Sequence, residues 1–312
     1  MIVALAGGVG GAKLAQGLAL ATPAEELTVL VNTADDFDLY GLRICPDLDT
    51  VLYTLAGIAN PETGWGIAGD TFAALGAIAR LGRDPWFRLG DQDLATHILR
   101  TERLHAGVSL TETIAELAVA LGIMSRILPM SDAPVATMVD TLSGQLTFQD
   151  YFVARHQQDE VRGVSFAGID DAELSHPAAR ALEEADLVIF CPSNPIVSIG
   201  PILAVRGMRD ALRRATTPKI AVSPIIQGKA LKGPADKMLA SLGHEVSALG
   251  VARIYARLID GMVLDVRDSG LGASIEALGM RVLCTETIMG DAADRARLAA
   301  EVIDFGMSMA RV

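Results

Sequence analysis

Two hydrophobic periods take turns along this chain. The unbroken apolar run Ile2–Ala6 predicts a buried strand, and Gly11–Leu20, just behind a glycine cluster, predicts a helix. Leu27–Thr33 (LTVLVNT) predicts a second strand. From about 50 to 122 the pattern turns mainly helical. It holds "VLYTLAGIA", a helix near Phe72–Arg80, another from about Asp91 to Leu104, and "SLTETIAELAVALG", where Ser109 and Glu112 form a capping box. That stretch is too long for one crossover between parallel strands and is expected to be a helical insertion or lid.

From about 126 to 168 the chain reads as strand-rich: "RILPM", "ATMVDT", "QLTFQDYFVA" and "VRGVSFAG". Alternation of helix and strand resumes at His176. A helix Ala178–Glu184 precedes the strand "DLVIFCPS"; "KIAVSP", a helix from about Ser247 to Leu258, "GMVLDV", "RVLCTE" and a helix from about Ala292 to Met307 follow. This order predicts a doubly wound α/β fold with a mostly parallel Rossmann-like sheet, as one α/β domain over residues 1–312.

Composition narrows the function classes. The chain is 51% hydrophobic and only 4% aromatic, the interior of α/β layers rather than of a β-sandwich. No apolar run reaches the roughly 18 residues of a membrane span, and nothing reads as a signal peptide. A net charge of −12 argues against a general nucleic-acid binder, which needs a basic footprint. A small phosphorylated ligand needs only a few local donors. The three cysteines lack CxxC spacing, which fits a reduced, cytoplasmic setting. Cys191 and Cys284 end apolar runs and are expected to pack as small hydrophobes.

Candidate chemistry begins at "LAGGVGGAKL". A Walker A loop requires glycine where Ala12 stands and Ser or Thr where Leu14 stands. The dinucleotide fingerprint fits Gly8 and Gly10 but meets Lys13 in place of its third glycine. Both named motifs fail, yet the physics persists: glycines let backbone approach a ligand, and a helix N-terminus offers amides to an anion. A tight strand–helix turn without ligand is the plainer alternative.

A doubly wound sheet binds ligands beyond the C-terminal ends of its strands. The segments expected there are "GGVGGAK", "NTADDFD", "PSNPIVSIGP" and "SPIIQGKALKG", with Ser193, Asn194, Ser198, Ser223 and Gly228 as candidate contacts. In "PDLDT", Asp47 and Asp49 resemble a D-x-D pair for a divalent metal, although Asp49 or Thr50 as a helix cap is the commoner fate. "WFRLGD" groups Trp86, Phe87 and Arg88, an edge for a flat heteroaromatic ligand or simply a packed turn. The five histidines show no metal pair or triad order, and GxSxG is absent.

Taken together, "ALAGGVGGAKLAQGL", "VNTADDFDLYGLRICPDLDTVLYTLAG", "GWGIAGDTF", "WFRLGDQDLATHILRTERL", "PSNPIVSIGPIL" and "SPIIQGKALKGPADKML" resemble the 2-phospho-L-lactate transferase family of coenzyme F-420 biosynthesis. The resemblance implies an enzyme that moves a phosphorylated three-carbon acid from a guanosine diphosphate-linked donor to the hydroxyl of the deazaflavin Fo. GMP leaves, and Mg²⁺ is required. It implies Asp49 and Arg88 at the deazaflavin, with Asp49 as the catalytic candidate, and Asp47 and Asp49 as metal candidates. It places Gly7, Gly8, Gly10, Gly11, Ser193, Asn194 and Ser223 around the guanosine diphosphate. Expected partners are these small molecules and a second copy of the chain, with no nucleic acid and no membrane; the apolar helix carrying Leu298, Val302 and Phe305 is one candidate dimer face. The rival is a non-catalytic regulator of the same fold that binds a nucleotide sugar.

Overall fold

The structure is a computed structural model and describes residues 1–310. Seven strands form the central sheet, numbered here in chain order: β1 Ile2–Ala6, β2 Leu27–Val31, β3 Arg126–Pro129, β4 Leu187–Phe190, β5 Lys219–Val222, β6 Gly261–Asp265 and β7 Arg281–Thr285. Across the sheet they run β7-β6-β5-β4-β1-β2-β3, every pair parallel. The expected α/β, Rossmann-like class is the one observed.

Physical reasons for this sheet are visible in β1. All five of its residues are buried. Val3 and Leu5 join the core on one face, Ile2, Ala4 and Ala6 the core on the other. A strand covered on both sides reads as a continuous apolar run, which is what helices on both faces require.

Helix α1 (Gly8–Ala21) follows β1 directly and begins inside the glycine run, three residues earlier than the apolar pattern suggests. Four helices lie between β2 and β3: α2 Pro46–Leu55, α3 Ala73–Arg80, α4 Asp91–His105 and α5 Leu110–Ala120. Helix α2 starts at Pro46 behind Cys45, so Asp49 sits within its first turn and does not cap it. The Ser109–Glu112 capping box at α5 is formed in both directions.

Two expectations are corrected beyond β3. The stretch 145–154 is not one strand; strand Gly144–Thr147 gives way to a π-helical turn at Asp150–Ala154, because Tyr151 and Phe152 pack into a small core with Val139 and Val161. Cys284 is exposed on β7, an edge strand, whereas Cys45 and Cys191 are buried.

The helix Ala292–Met307 lies across α1. Leu298, Ala299 and Val302 are fully buried, so the apolar face considered for dimerisation is already covered within the chain. Gly17 sets the closeness of this crossing, for a β-carbon there would collide with the backbone carbonyl of Arg295. Among the described residues no helix is long and apolar enough to cross a membrane.

Candidate active site

The chain leaves β1 toward one edge of the sheet, through β2 and β3, and returns to the other side at β4. Strand order therefore reverses between β1 and β4, the point beyond whose C-terminal ends a doubly wound sheet places its ligand crevice. Two segments border it: the glycine turn after β1 and Pro192–Ser198 after β4.

They fit tightly. The Gly7 amide donates to Ser193 Oγ at 3.1 Å. A β-carbon at Gly7 would stand 2.7 Å from both Asp47 Oδ2 and Ser198 Cβ, and one at Gly11 2.6 Å from Ser193 Oγ; at Gly10 it would run into the Pro192 carbonyl. These glycines are thus needed by the chain's own packing. Gly8 alone requires a positive φ, +63°. The first-turn amides of α1 have no intrahelical acceptor, and Gly7 has no side chain to cap them. The Gly8 amide is turned to the Asp47 carboxylate and favours its charged form, which leaves Val9 and Gly10 as anion donors at the positive end of the helix.

A group of buried carboxylates closes the other side. Asn32 Nδ2 donates to Asp47 Oδ2 at 2.9 Å, and its Oδ1 accepts the Ala34 amide. Asp35 Oδ1 and both oxygens of Asp36 are buried without a hydrogen-bond partner; Arg43 Nη2 stands 3.7 Å from Asp36 Oδ2. Burial pushes Asp35 well above the usual carboxylate range, with Asp47 and Asp36 adding to the push. Burial also raises Asp36 to about 7, against the pull of Arg43, and Asp47 to about 6, against the bonds from Asn32 and the Gly8 amide. Uncompensated carboxylate oxygens in such a place are expensive without a cation.

Asp47 and Asp49 do not share one location. Two residues apart on a helix, they point about 200° away from each other. Asp47 faces the glycine turn. Asp49 faces α4, where Arg100 grips both its oxygens, Nη1 at 3.2 Å from Oδ2 and Nη2 on Oδ1. Arg100 is fully buried. His97 Nδ1 lies 3.6 Å from Asp49, His97 Nε2 lies 3.2 Å from Asp93, and Tyr53 donates to Asp93 at 2.7 Å. Asp49, Asp93 and His97 bring one ligand atom each within 4.8 Å of one another, close enough for a metal ion.

Arg88 is on the exposed loop before α4, with its guanidinium 4.5 Å from the Phe72 ring centroid. Beside it Trp86 and Phe87 pack on Phe37 at 5.8 and 4.9 Å between centroids. Phe37 belongs to the hairpin Phe37–Ile44 that leads into α2, so the Arg88 loop is tied to the helix carrying Asp47 and Asp49. Asn194 Oδ1 accepts the Ile196 amide at 2.9 Å, and Ser223 Oγ accepts the Ile225 amide at 3.1 Å; both side chains shape their own loops.

Arg100, Asp93, His97 and Asn32 were not singled out from the sequence. Their signal is present in "DQDLATHILR": Asp93, His97 and Arg100 recur at i, i+4 and i+7, a polar stripe on the face that a covered helix normally makes apolar. Asn32 ends a buried strand, where a polar residue demands a partner.

Comparison with known proteins follows this geometry. A family model described as 2-phospho-L-lactate transferase CofD matches residues 2–284. The 2-phospho-L-lactate transferase of Methanosarcina acetivorans is 43% identical over 302 residues, 97% of each chain. The phosphoenolpyruvate transferase of Kitasatospora aureofaciens is 44% identical over 305 residues, 96% of this chain and 95% of that one. A crystal structure of a UPF0052 family protein from Bacillus halodurans has the same fold, with TM-score 0.67 at 15% identity and coverage of 97% and 98%. A match along almost the whole chain makes this chain a member of the 2-phospho-L-lactate transferase CofD family, and a transferase of phosphate-linked groups.

Proposed function

We propose that the enzyme transfers a phosphorylated three-carbon acid from a guanosine diphosphate-linked donor to the hydroxyl of the deazaflavin Fo, releasing GMP, as a step in making coenzyme F-420. The acid is 2-phospholactate, phosphoenolpyruvate or 3-phosphoglycerate. The enzyme works as a cytoplasmic homodimer. One observation carries the reading: the helix-end amides of the glycine turn meet the buried carboxylate of Asp47, beside which Asp35 keeps a buried oxygen without a partner.

Alcohol attack on a diphosphate is mostly positioning and charge neutralisation. Val9 and Gly10 amides hold phosphate oxygens of the donor, with Ser193 locking the turn in place. Asp35 and Asp47 hold Mg²⁺, a hard cation that selects oxygen ligands. The partnerless Oδ1 of Asp35 and the mutual repulsion of the two carboxylates fit it. The Asp49–Asp93–His97 group fits it less well, because one of its ligand atoms is a nitrogen and Arg100 already neutralises Asp49. Bound there, Mg²⁺ supplies charge compensation to the phosphate oxygens.

Asp49, held by Arg100 on the α4 side of α2, fixes the wall of the Fo site rather than the attacking hydroxyl; Arg88 and the aromatic group border the deazaflavin ring. The hydroxyl oxygen bonds to the phosphorus bearing the acid, the bond to the bridging oxygen breaks, GMP leaves with that electron pair, and the hydroxyl proton is lost to a neighbouring carboxylate.

Mass spectrometry with Fo, Mg²⁺ and each guanylylated acid in turn tests this directly; a phospho-acid adduct of Fo and free GMP are expected with one of them. Deazaflavin fluorescence should report saturable Fo binding, weakened about tenfold by Arg88→Ala and by Asp49→Asn. A wild type that ignores Fo points to the nucleotide-sugar regulator instead.

A further inference from the structure

Behind the first turn of α1 lies a cavity of about 120 Å³, bordered by Val9, Lys13, Gln16, Asn60, Gly64 and Arg295. Its place follows from helix geometry. Val9, Lys13 and Gln16 are spaced i, i+4 and i+7, so they form one flank of α1 that starts at the glycine turn. The loop after α2 and the first turns of helix Ala292–Met307 wall it in.

Three cations converge there. Lys13 Nζ donates to the Met289 carbonyl at 2.8 Å, and Lys232 Nζ to the Thr63 carbonyl at 2.9 Å. Arg295 Nη1 donates to Gln16 Oε1, while Arg295 Nε is buried without a partner. Lys232 overhangs the cavity wall, since a β-carbon on Gly64 would be 3.2 Å from its Nζ and 2.7 Å from Val9. The three charges are near enough that Arg295 and Lys232 lower the Lys13 pKa further, on top of its burial. Among the described residues none of the three has a carboxylate within ion-pair distance. In a chain with 38 acidic side chains and 26 basic ones, converging cations with only neutral partners mark a place held open for an external anion.

Size and position say which anion. The cavity is small, about 120 Å³, and its cationic lining suits a carboxylate on a short carbon stub. The phosphate-binding amides occupy the near end of the same helix flank, so the group that reaches Lys13 is the part of the donor beyond its diphosphate. We propose that Lys13, Lys232 and Arg295 form the pocket for the carboxylate of the transferred three-carbon acid, and so select a carboxylate-bearing donor over a plain phosphate ester. This rests on the transferase reading for the identity of the acid, not for the existence of the pocket.

Isothermal titration with 2-phosphoglycolate, which carries phosphate and carboxylate, and with ethyl phosphate, which lacks the carboxylate, tests the assignment. GDP serves as the nucleotide control. The wild type is expected to bind 2-phosphoglycolate at least tenfold more tightly than ethyl phosphate. Lys13→Met and Lys232→Met should each erase that preference and change GDP affinity less than twofold; Lys232 is exposed, so its variant keeps the fold. No preference in the wild type, an undiminished preference in both variants, or a parallel loss of GDP binding each overturns the carboxylate pocket. Turnover is scored separately. Its absence from the wild type overturns the transferase reading, whereas the 2-phosphoglycolate result reads the pocket without any reaction.

Discussion

Asp49 shows how a residue's surroundings decide its chemistry. As a member of PDLDT it is one of two similar aspartates; in the fold it is one half of a fully desolvated pair with Arg100. Breaking such a pair leaves a buried charge alone, which typically costs about 3–5 kcal/mol. Arg100→Met is therefore expected to lower unfolding free energy by about that much in a denaturant titration. Asp49→Asn in the same chain should restore a large part of it, because no unpaired charge is left behind. Additive losses in the double variant would mean that the two side chains do not act as a pair. Gly10 is governed by surroundings too: its hydrogen is the only substituent that clears the Pro192 carbonyl.

Helices here are placed by close approaches as much as by apolar faces. Where helix Ala292–Met307 crosses α1, Gly17 meets the Arg295 carbonyl and the Ala299 side chain. Gly17→Ala overpacks this crossing and is expected to destabilise by about 1–3 kcal/mol, readable as a lowered melting temperature. Gly10→Ala strikes the loop that borders the crevice and should, beyond any such loss, abolish donor binding. If Gly17→Ala lost donor binding while remaining folded, the crossing would be coupled to the site rather than merely supporting it. Helix α4 is the unusual element: its covered face is polar, Asp93, His97 and Arg100 replacing the apolar stripe, because it packs on α2 through Asp49 and Tyr53.

For the whole molecule, the crevice concentrates charge that the fold alone does not neutralise. Asp36, raised from 3.8 to about 7 by burial, holds its proton more tightly folded than unfolded. Its contribution to stability is full below pH 4 and is lost as pH rises through 7. The metal-free enzyme should accordingly melt several degrees lower at pH 8 than at pH 5, as followed by circular dichroism. Magnesium should stabilise it at pH 8, where the carboxylates are ionised, and much less at pH 5. A melting temperature that is flat or rises over this range without metal would contradict the assigned burial of these groups.

Some of this was settled by the chain's own pattern. Ile2–Ala6, LTVLV and LVIF are apolar without interruption, and between helical stretches such runs have one outcome, a parallel sheet covered on both faces. The glycine run, PSNP and SPII segments were legible as strand-end loops for the same reason. The sequence did not reveal that the glycines are demanded by Pro192, Ser193 and Asp47, that Asp47 and Asp49 part company by about half a helix turn, or that Arg100 binds Asp49 while Asp93 meets His97 beside it. Nor did it show Lys13, Lys232 and Arg295 meeting around one cavity. Those relations join residues as far apart as Gly7 and Asp47, 40 positions, and Lys13 and Arg295, 282 positions, across separate crossovers. Local periodicity carries the period of an element and the face it covers; which side chains become neighbours depends on the order in which the strands are laid side by side, and only the folded sheet decides that.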